Sequence, residues 1–321
     1  MLYLNENHIR SLGIPWPALV DLISDTVKVI DSGDYAQPLK PYLRYRNPKN
    51  RIIAMPAFVG GNVNAAGMKW VASFPDNITH GKPRAHSVTV LNDADTGEAE
   101  AVLNASLVSG IRAAAVSGLM LRHFLTIRPD EHFRIGIIGW GPVGKLHYDL
   151  CSELCRDRIE RFSIYDLRGA DTESVPASMR SRTDVTDNWE NVYLNSDIIV
   201  TCTASDVRYI DKKPKDGSLL LHVSLRDYLP SALSSIRTVV VDDWSEICRE
   251  NTDIELLHQA CGLLPMHTRS LADLVCRNAL SETGREETIL FCPMGLAAFD
   301  IGVATFYARM ARRRGVGLNI E

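Results

Sequence analysis

The pattern of hydrophobic and polar positions changes near residue 117 of this 321-residue chain. In the first part, short apolar runs alternate with turn-forming residues, which predicts a mixed α/β unit dominated by short strands. Residues 1 to about 32 predict a strand, MLYL, and one helix. The runs VTVLND and EAEAVLN flank Asp95, Thr96 and Gly97, so we expect a β-hairpin there. A long apolar helix, ASLVSGIRAAAVSGLMLRHFL, is predicted from Ala105.

The second part of the chain is built from nearly continuous apolar runs. These runs are FRIGIIG, RFSIYD, DIIVTCTA, SLLLHVSL and TVVVDDW, with ETILFCPMG as a further strand. Such runs are typical of parallel strands buried on both faces of a sheet. We therefore predict an α/β protein with a Rossmann-type nucleotide-binding domain over residues 117–296 and an α/β domain over residues 1–116 and 297–321. The active site is expected in a cleft between the two domains, over the carboxyl ends of the parallel strands.

A glycine-rich turn follows the strand Arg134–Ile138 and opens the next helix. Its residues are Gly139, Gly141, Pro142, Val143 and Gly144. Glycines at this spacing let the turn cradle a pyrophosphate at a helix N-terminus, where Pro is tolerated because its missing N–H has no partner anyway. Asp166 ends the next strand, where a carboxylate accepts hydrogen bonds from ribose hydroxyls and repels a 2′-phosphate. The pattern predicts NAD as the cofactor, with Arg168 nearby softening the preference against NADP.

Three polar residues at the end of a later parallel strand are further candidates. Thr201, Cys202 and Thr203 lie where side chains commonly border the two riboses of a dinucleotide. Ordinary strand packing explains each of them equally well when it is taken singly. We predict all three as cofactor-binding residues.

The composition sets limits on partners and location. Hydrophobic residues make up 45% and charged residues 23%, and a formal net charge of −4 offers no basic surface for nucleic acid or an anionic membrane. No signal-peptide pattern is seen, and no run reaches the roughly 20 apolar residues of a membrane span. The seven cysteines are scattered without metal-ligand spacing, which favours free thiols in the cytoplasm and no metal site.

Basic residues occur in the first part of the chain where a set of apolar strands disfavours them. Lys69 lies inside AGMKWVASF, Arg112 lies in the Ala-rich helix, and Lys40 and Arg44 lie in QPLKPYLR. A buried cation is costly unless it is paired, and each of these taken singly is well explained as a snorkelling side chain or a structural ion pair. Together they predict recognition of an anionic substrate, since Arg binds a carboxylate with two parallel hydrogen bonds.

The order of these features along the whole chain resembles the ornithine cyclodeaminase/μ-crystallin family. The shared features are an Arg in the early loop, Met-Pro ending a strand, GxKW, SxxRAA in the linking helix, GxGxxG and an Asp ending the next strand. The resemblance implies that Arg44, Lys69 and Arg112 bind the α-carboxylate of an amino acid, with Met55 at the same site. It also implies that Asp227, in HVSLRD, is the catalytic acid/base, and that the protein is a homodimer formed through its N-terminal domain.

Several segments, MLYLN, QPLKPYLR, RIIAMP and CPMG among them, resemble one branch of this family more narrowly. This branch makes L-2,3-diaminopropionate for siderophores or antibiotics. Its implied reaction is the NAD-dependent oxidative hydrolysis of N-(1-amino-1-carboxy-2-ethyl)-L-glutamate to 2,3-diaminopropionate, 2-oxoglutarate and NADH. A PLP-dependent synthase is the implied source of the substrate.

One departure from the cyclodeaminases supports this branch. Cyclodeaminases carry a Glu shortly before the Met-Pro pair, whereas Arg51–Pro56 contains no acid. The three carboxylates of the implied substrate agree with the surplus of cations, which includes Lys40 and Arg84, and Lys69 is a second candidate proton carrier. The open alternatives are another family activity, such as imine reduction, amino-acid dehydrogenation or ornithine cyclodeamination, and a non-catalytic ligand-binding role.

Overall fold

The computed structural model describes residues 1–321. Its ten α-helices, in chain order, are α1 (Glu6–Leu12), α2 (Trp16–Ser32), α3 (Ser106–Ile127), α4 (Pro142–Cys155), α5 (Trp189–Leu194), α6 (Pro230–Leu233), α7 (Trp244–Ile247), α8 (Asp253–Cys261), α9 (Leu271–Arg277) and α10 (Ala297–Arg314). Its sixteen strands are β1 (Leu2–Asn5), β2 (Tyr35–Ala36), β3 (Tyr42–Leu43), β4 (Arg51–Val59), β5 (Ala65–Ser73), β6 (Ala85–Asn92), β7 (Ala99–Asn104), β8 (Phe133–Ile138), β9 (Ile159–Tyr165), β10 (Thr183–Val185), β11 (Ile198–Thr201), β12 (Leu219–His222), β13 (Thr238–Val241), β14 (Thr268–Ser270), β15 (Ile289–Cys292) and β16 (Leu318–Asn319).

One compact unit, here called unit 1, consists of Met1–Val116 and Gly295–Glu321. Its sheet has the strand order β16-β1-β7-β6-β5-β4-β2, and β3 pairs with β4 outside this path. Strands β4 to β7 are antiparallel, which confirms the hairpin predicted between β6 and β7. Helix α10 packs against β4, β5 and α2, and Leu19, Ile23 and Val27 are among the buried residues of α2.

Two expectations for unit 1 are corrected by the structure. The single helix predicted within residues 1 to about 32 is two helices, because Gly13 ends α1 with a φ of +77° and Pro15 precedes α2. The Asn5 side chain caps α1 by accepting a hydrogen bond from the His8 N–H at 3.0 Å. The turn-rich segment after Ser32, which reads as a loop, contains the two-residue strands β2 and β3.

The other compact unit, unit 2, is Ser117–Met294, and its sheet has the strand order β10-β9-β8-β11-β12-β15-β13-β14. All its strand pairs are parallel. Strands β11, β12, β13 and β15 are buried at every position, as nearly continuous apolar runs predict. The apolar pattern misses β10 and β14 because both are short and incompletely buried. The parallel sheet of unit 2 and the mixed sheet of unit 1 confirm the predicted α/β class.

The ends of three neighbouring strands of unit 2 bring polar segments to one edge of its sheet. Ile138 of β8, Thr201 of β11 and His222 of β12 are aligned partners across these strands. The chain leaves the three strands into the glycine turn, into Cys202–Thr203 and into the loop 223–228. These segments therefore lie together at the carboxyl edge, where ligands of such sheets bind.

The division between the units falls after Val116, within α3, and after Met294. The sequence places the corresponding boundaries after residues 116 and 296, and the roles predicted for the two domains stay predictions. No helix of either unit combines the length and the apolar character that a membrane-spanning helix requires.

Candidate active site

The glycine turn of unit 2 has the stereochemistry that a dinucleotide site requires. Gly139 has a φ of +104°, and a Cβ atom there would lie 2.6 Å from the Cys202 carbonyl oxygen. A Cβ at Gly144 would lie 1.9 Å from the Gly139 oxygen, so any side chain at that position would push the turn apart. A Cβ at Gly141 would meet no atom within 4 Å, which leaves the space beside the first turn of α4 open. Helix α4 begins at Pro142 without a side-chain cap, so the residues present fit a pyrophosphate at this N-terminus.

A neutral histidine anchors the helix that follows this turn. Nδ1 of His147 lies 2.8 Å from the Val143 carbonyl oxygen, and its Nε2 lies 2.9 Å from the Ser117 hydroxyl. Burial lowers the pKa of His147 to about 4. The imidazole is therefore uncharged at neutral pH and holds the first turn of α4, which includes Val143, without adding a charge.

Asp166 and Trp140 connect the turn to the end of β9. The Asp166 carboxylate accepts hydrogen bonds from the Trp140 N–H at 2.7 Å and the Arg168 N–H at 2.9 Å. The Trp140 indole N–H donates to the Asp171 carbonyl oxygen at 3.2 Å and to the Ser174 hydroxyl at 3.0 Å. The sequence pattern assigns no role to Trp140, whereas the structure shows that it holds the segment after Asp166 against the turn. The two carboxylate oxygens keep further acceptor sites for ribose hydroxyls.

The three polar residues predicted at the end of β11 have different surroundings. Thr201 is buried, and its hydroxyl lies 2.7 Å from Nδ1 of His222. Cys202 is half-buried, and its surroundings desolvate the thiol and raise the pKa of Cys202 above its ordinary value. The Thr203 hydroxyl donates to Oδ1 of Asp227. Thr203 is therefore linked to the predicted acid/base, while cofactor contacts for all three residues stay predictions.

Asp227 is fully buried in a loop that holds both its side chain and its backbone. The Thr203 and Ser224 hydroxyls donate hydrogen bonds to its two carboxylate oxygens. Its carbonyl oxygen accepts hydrogen bonds from the Tyr209 N–H at 3.0 Å and the Ile210 N–H at 2.9 Å. Thr203 and Ser224 are only half-buried, so the two residues that donate to the carboxylate are more accessible than Asp227 itself.

A second carboxylate, Asp253 at the start of α8, holds the backbone of the Asp227 loop. Its Oδ2 atom accepts hydrogen bonds from the Asp227 N–H at 3.1 Å and the Tyr228 N–H at 2.9 Å, and lies 2.7 Å from Nε2 of His222. Its Oδ1 atom accepts a hydrogen bond from Nε of Arg208 at 2.6 Å. Burial opposes ionisation of Asp253, but His222, the Tyr228 N–H and Arg208 together keep its pKa below the ordinary value. Nothing in the sequence separates Asp253 from an ordinary acidic residue in a first helical turn.

Unit 1 contains a buried group of three cations and one carboxylate, here called the cationic cluster: Lys40, Lys69, Arg112 and Asp300. Oδ1 of Asp300 accepts hydrogen bonds from Nζ of Lys69 at 3.0 Å and from Nε of Arg112 at 2.9 Å. Nζ of Lys69 also donates to the Ser109 hydroxyl at 2.6 Å. The structure thus joins Lys69 to Arg112 through Asp300. Sequence reasoning missed Asp300, although a single acid in the apolar segment LAAFDIGVATF is a signal for it.

Burial and neighbouring charges set the protonation of this cluster. Burial lowers the pKa of Lys69, Arg112 and Lys40 act in the same direction, and Asp300 opposes them, so that the pKa of Lys69 is about 8. For Asp300, burial favours the neutral acid, but Arg112 and Lys69 outweigh it and lower the pKa of Asp300. The cluster therefore carries an excess of positive charge at neutral pH.

Gly295 completes the cluster with its backbone. Its carbonyl oxygen accepts a hydrogen bond from Nζ of Lys40 at 2.7 Å. Gly295 has a φ of +86°, and a Cβ atom there would lie 2.2 Å from Nη1 of Arg112. Only glycine therefore lets the guanidinium lie against this part of the backbone.

The cationic cluster keeps N–H donors that can bind a ligand. An ammonium group has three N–H donors and a guanidinium has five. Lys69 directs one donor to Ser109 and one to Asp300, which leaves a third. Arg112 bonds to Asp300 through Nε, so its two terminal nitrogens keep the two-pronged geometry that matches a carboxylate.

The remaining predicted substrate residues are placed differently. Met55 is buried in β4 and is the direct cross-strand partner of Lys69. Arg44 is exposed and donates a hydrogen bond to the Pro48 carbonyl oxygen at 3.0 Å. Arg84 is half-buried and directly precedes β6. The structure thus places Met55 beside Lys69 and Arg44 at the surface.

The two units define an α/β protein with a dinucleotide-type turn in one unit and a buried group of cations around one carboxylate in the other. The chain belongs to the ornithine cyclodeaminase/mu-crystallin family, whose model matches residues 14–313. This finding confirms the resemblance predicted from the sequence motifs.

The relatives of the chain include dehydrogenases, reductases and cyclodeaminases. The N-((2S)-2-amino-2-carboxyethyl)-L-glutamate dehydrogenase of Staphylococcus aureus is 32% identical over 337 aligned positions, which cover 100% of this chain and 98% of the relative. A Delta(1)-pyrroline-2-carboxylate reductase of Bacillus cereus is 26% identical, with 100% of both chains covered. The chain is an enzyme of the oxidoreductase class, as predicted.

The fold is shared with solved members of the family. The Delta(1)-pyrroline-2-carboxylate reductase of Thermococcus litoralis, solved in complex with NADH and L-proline, matches with a TM-score of 0.86. The match covers 100% of both chains at 22% identity. At this level of identity the similarity establishes the common fold.

Proposed function

We propose that this protein catalyses the NAD-dependent oxidative hydrolysis of N-((2S)-2-amino-2-carboxyethyl)-L-glutamate to L-2,3-diaminopropionate, 2-oxoglutarate and NADH. The observation that carries the proposal is the full-length similarity, at 32% identity, to the Staphylococcus aureus dehydrogenase named for this compound. The buried cations of unit 1 support it, because the compound has three carboxylates. The reaction consumes one water and releases one proton, so it requires groups that transfer protons.

In this proposal the glycine turn of unit 2 holds NAD. The N-terminus of α4, at Gly141 and Pro142, binds the pyrophosphate, and Asp166 binds ribose hydroxyls. The carboxylate of Asp166 favours NAD because it repels the extra phosphate of NADP. When bound, NAD accepts a hydride from Cα of the glutamyl part of the substrate. Polar residues that border the riboses are Thr201, Cys202 and Thr203.

Unit 1 supplies the groups that bind and orient the substrate. Lys69 and Arg112 bind one carboxylate with the N–H donors that Asp300 leaves unused. Fixing the carboxylate in this way restricts the substrate to few orientations. This restriction raises the rate, because the reacting atoms are held in the geometry of the reaction. Candidates for the other two carboxylates are Lys40, Arg44 and Arg84.

Asp227 is the group to which we assign proton transfer. The secondary amine of the substrate and the attacking water exchange protons during hydrolysis, and a carboxylate performs such transfers near neutral pH. Because Asp227 is fully buried, the Thr203 and Ser224 hydroxyls that donate to it pass the proton. Lys69 is the second candidate, since a pKa of about 8 lets it release a proton close to neutral pH.

The proposal is tested by mixing the purified protein with NAD and the synthetic glutamate adduct. We expect NADH, 2-oxoglutarate and 2,3-diaminopropionate in equal amounts, followed by NADH absorbance and by mass spectrometry of the products. Absence of NADH formation with this compound would contradict the proposal. Ligand binding by calorimetry without turnover of any substrate would instead indicate a non-catalytic binding protein.

Imine reduction is the second candidate, because the full-length match to the Bacillus cereus reductase favours it. A cyclic imino acid presents one carboxylate to the same cations and requires hydride transfer in the opposite direction. A higher kcat/KM for NADH-dependent reduction of pyrroline-2-carboxylate than for oxidation of the adduct would decide for this reaction. Ornithine cyclodeamination is disfavoured, because residues 51–56 of β4 supply no acid. That reaction would be recognised in the assay by the absence of net NADH formation.

We further propose a homodimer formed through the sheet of unit 1. Along β5, Met68 and Trp70 are 37% and 40% exposed on the side opposite to buried Lys69, which leaves an apolar face uncovered. Light scattering should give twice the monomer mass for the wild type, and Trp70→Glu should give the monomer mass.

Seven free cysteines support a cytoplasmic location. In this reading a PLP-dependent synthase supplies the adduct.

A further inference from the structure

The carboxylate at the centre of the cationic cluster uses only one of its oxygens. Asp300 is 3% exposed, and its Oδ1 atom accepts hydrogen bonds from both Lys69 and Arg112. Its Oδ2 atom is buried and has no hydrogen-bond partner. A buried acceptor without a donor is unfavourable, because it loses its hydration and gains no hydrogen bond. A carboxylate that served only to neutralise two cations would be expected to bind them with both oxygens.

We propose that Asp300 is a positioning residue that keeps Lys69 charged and oriented toward the substrate carboxylate while leaving the terminal nitrogens of Arg112 unengaged. The proposal rests on the assignment of a substrate carboxylate to this cluster. Taking one N–H from each cation on a single oxygen fixes both side chains and uses as few of their donors as possible. The Oδ2 atom is left without a hydrogen-bond partner because both cations bond to Oδ1.

Asp300 is the carboxylate that acts most strongly on Lys69. The charged groups around Lys69 are Asp300 from α10, Arg112 from α3 and Lys40 from the segment before β3. Its cross-strand partners in β4 and β6 are the uncharged residues Met55 and Thr89. Without Asp300, a fully buried ammonium would face two cations without this carboxylate, and it would lose its proton at a lower pH. A neutral Lys69 binds a carboxylate less tightly.

The direct test is the isosteric variant Asp300→Asn, which removes the charge and keeps the size. We expect KM for the amino-acid substrate to rise about tenfold at neutral pH, while kcat changes by less than about threefold, because binding of the carboxylate is shared by the ground and transition states. The pH above which kcat/KM falls should move down by at least about one unit from its wild-type position. The matched control is Asp25→Asn, an exposed carboxylate of α2 paired with Lys28, which should leave both quantities unchanged.

A merely structural role for Asp300 would predict a different outcome. It would lower Tm and activity to the same extent at every pH, so a pH profile of Asp300→Asn parallel to that of the wild type overturns the proposal. In a Lys69→Arg background the charge no longer titrates, so Asp300→Asn should no longer move the profile. A shift that persists in that background also overturns the proposal.

A measurement on the wild-type protein removes the dependence on the variant and on the substrate. NMR of isotope-labelled lysine, with the Lys69 signal assigned by its loss in Lys69→Arg, reports whether Lys69 is charged. We expect it to be protonated at neutral pH and to titrate near its pKa of about 8. A neutral Lys69 at neutral pH overturns the proposal even if Asp300→Asn fails to fold. If the wild type does not turn over the adduct, the proposed function fails while this readout still decides the role of Asp300.

Discussion

The two units each bury a group of charges, and they hold these charges in opposite ways. In unit 1, Lys69 and Arg112 are fixed side chain to side chain by Asp300. In unit 2, the Asp227 carboxylate accepts hydrogen bonds from two hydroxyls, and Asp253 accepts them from two backbone N–H groups as well as pairing with Arg208 and His222. The first arrangement leaves N–H donors for an incoming anion, whereas the second satisfies the carboxylate before any ligand arrives. This contrast agrees with the proposed roles, in which unit 1 binds a substrate carboxylate and unit 2 holds Asp227 in place for proton transfer.

This comparison separates the kinetic effects that substitutions in the two units should have. Interactions that hold the substrate carboxylate are made in both the ground and transition states, so their loss raises KM. Interactions that transfer a proton are made during the chemical step, so their loss lowers kcat. A variant of unit 1 that lowers mainly kcat, or a variant of Asp227 that raises mainly KM, would contradict these roles.

The largest effect is expected from Asp227→Asn in unit 2. An amide cannot accept a proton, so kcat should fall about one hundredfold or more, while NAD affinity and Tm stay close to the wild type. Steady-state kinetics with the adduct measure kcat, binding titrations with NAD measure its affinity, and thermal unfolding measures Tm. The matched control, Asp184→Asn, alters an exposed carboxylate paired with Arg161 and should keep full turnover. Near-wild-type kcat in Asp227→Asn would remove the assigned role.

Gly295→Ala tests the packing of the cationic cluster. The new Cβ would lie 2.2 Å from Nη1 of Arg112, so the guanidinium must move and kcat/KM should fall about tenfold or more, mainly through KM. The control is Gly315→Ala, where φ is +64° and no atom lies within 4 Å. Both variants carry the backbone cost of a positive φ, about 1 kcal/mol, so the Gly315→Ala variant measures that cost without the contact to Arg112. Equal kinetic losses in the two variants would show that the Arg112 contact is unimportant.

The pH dependence of carboxylate binding tests the role proposed for unit 1. Because the pKa of Lys69 is about 8, kcat/KM should fall as pH rises above that value, by up to about tenfold per unit. Stability should change in the opposite direction, since unfolded Lys69 holds its proton up to about 10.5 while the folded group releases it near 8. Loss of activity above pH 8 is therefore not unfolding. Lys69→Arg should flatten this limb of the profile, and an unchanged limb would assign it to another group.

The smallest effect is expected from Trp140→Phe in unit 2. It removes the indole N–H that bonds to Asp171 and Ser174, and a neutral hydrogen bond contributes about 1 kcal/mol. KM for NAD should rise roughly fivefold, while KM for the amino-acid substrate stays unchanged. Trp189→Phe is the control, because Trp189 makes ring contacts with Tyr193 and Tyr209. A larger change in substrate KM than in NAD KM would contradict this assignment.

Local sequence patterns were sufficient for the fold class and for the residues that look unusual beside their neighbours. The apolar runs predict the parallel strands, and the glycine spacing predicts the turn at Gly139–Gly144, because both depend on short-range geometry. Lys69 and Arg112 are conspicuous because they interrupt apolar segments. Their unfavourable surroundings are visible in the sequence before the structure is known.

The partners of these residues were less accessible from sequence. Asp300 lies 231 residues from Lys69, and only the packing of α10 on the sheet decides that they meet. Asp253 is an acid in a first helical turn, a position that is common for reasons unrelated to Asp227. Trp140 acts through a segment 31 to 34 residues further along the chain. In each case the role depends on a tertiary contact that no local pattern encodes.

The contribution of α10 to the cationic cluster has a consequence for how the chain is synthesised. Lys69 and Arg112 leave the ribosome 231 and 188 residues before Asp300, and during that interval their burial would lack a counter-ion. Unit 2 is continuous in sequence and can fold while the chain grows. Asp300 is therefore the last member of the cationic cluster to be made, and it supplies the one negative charge of that cluster. The ion pairs that fix Lys69 and Arg112 can therefore form only after α10 has been made.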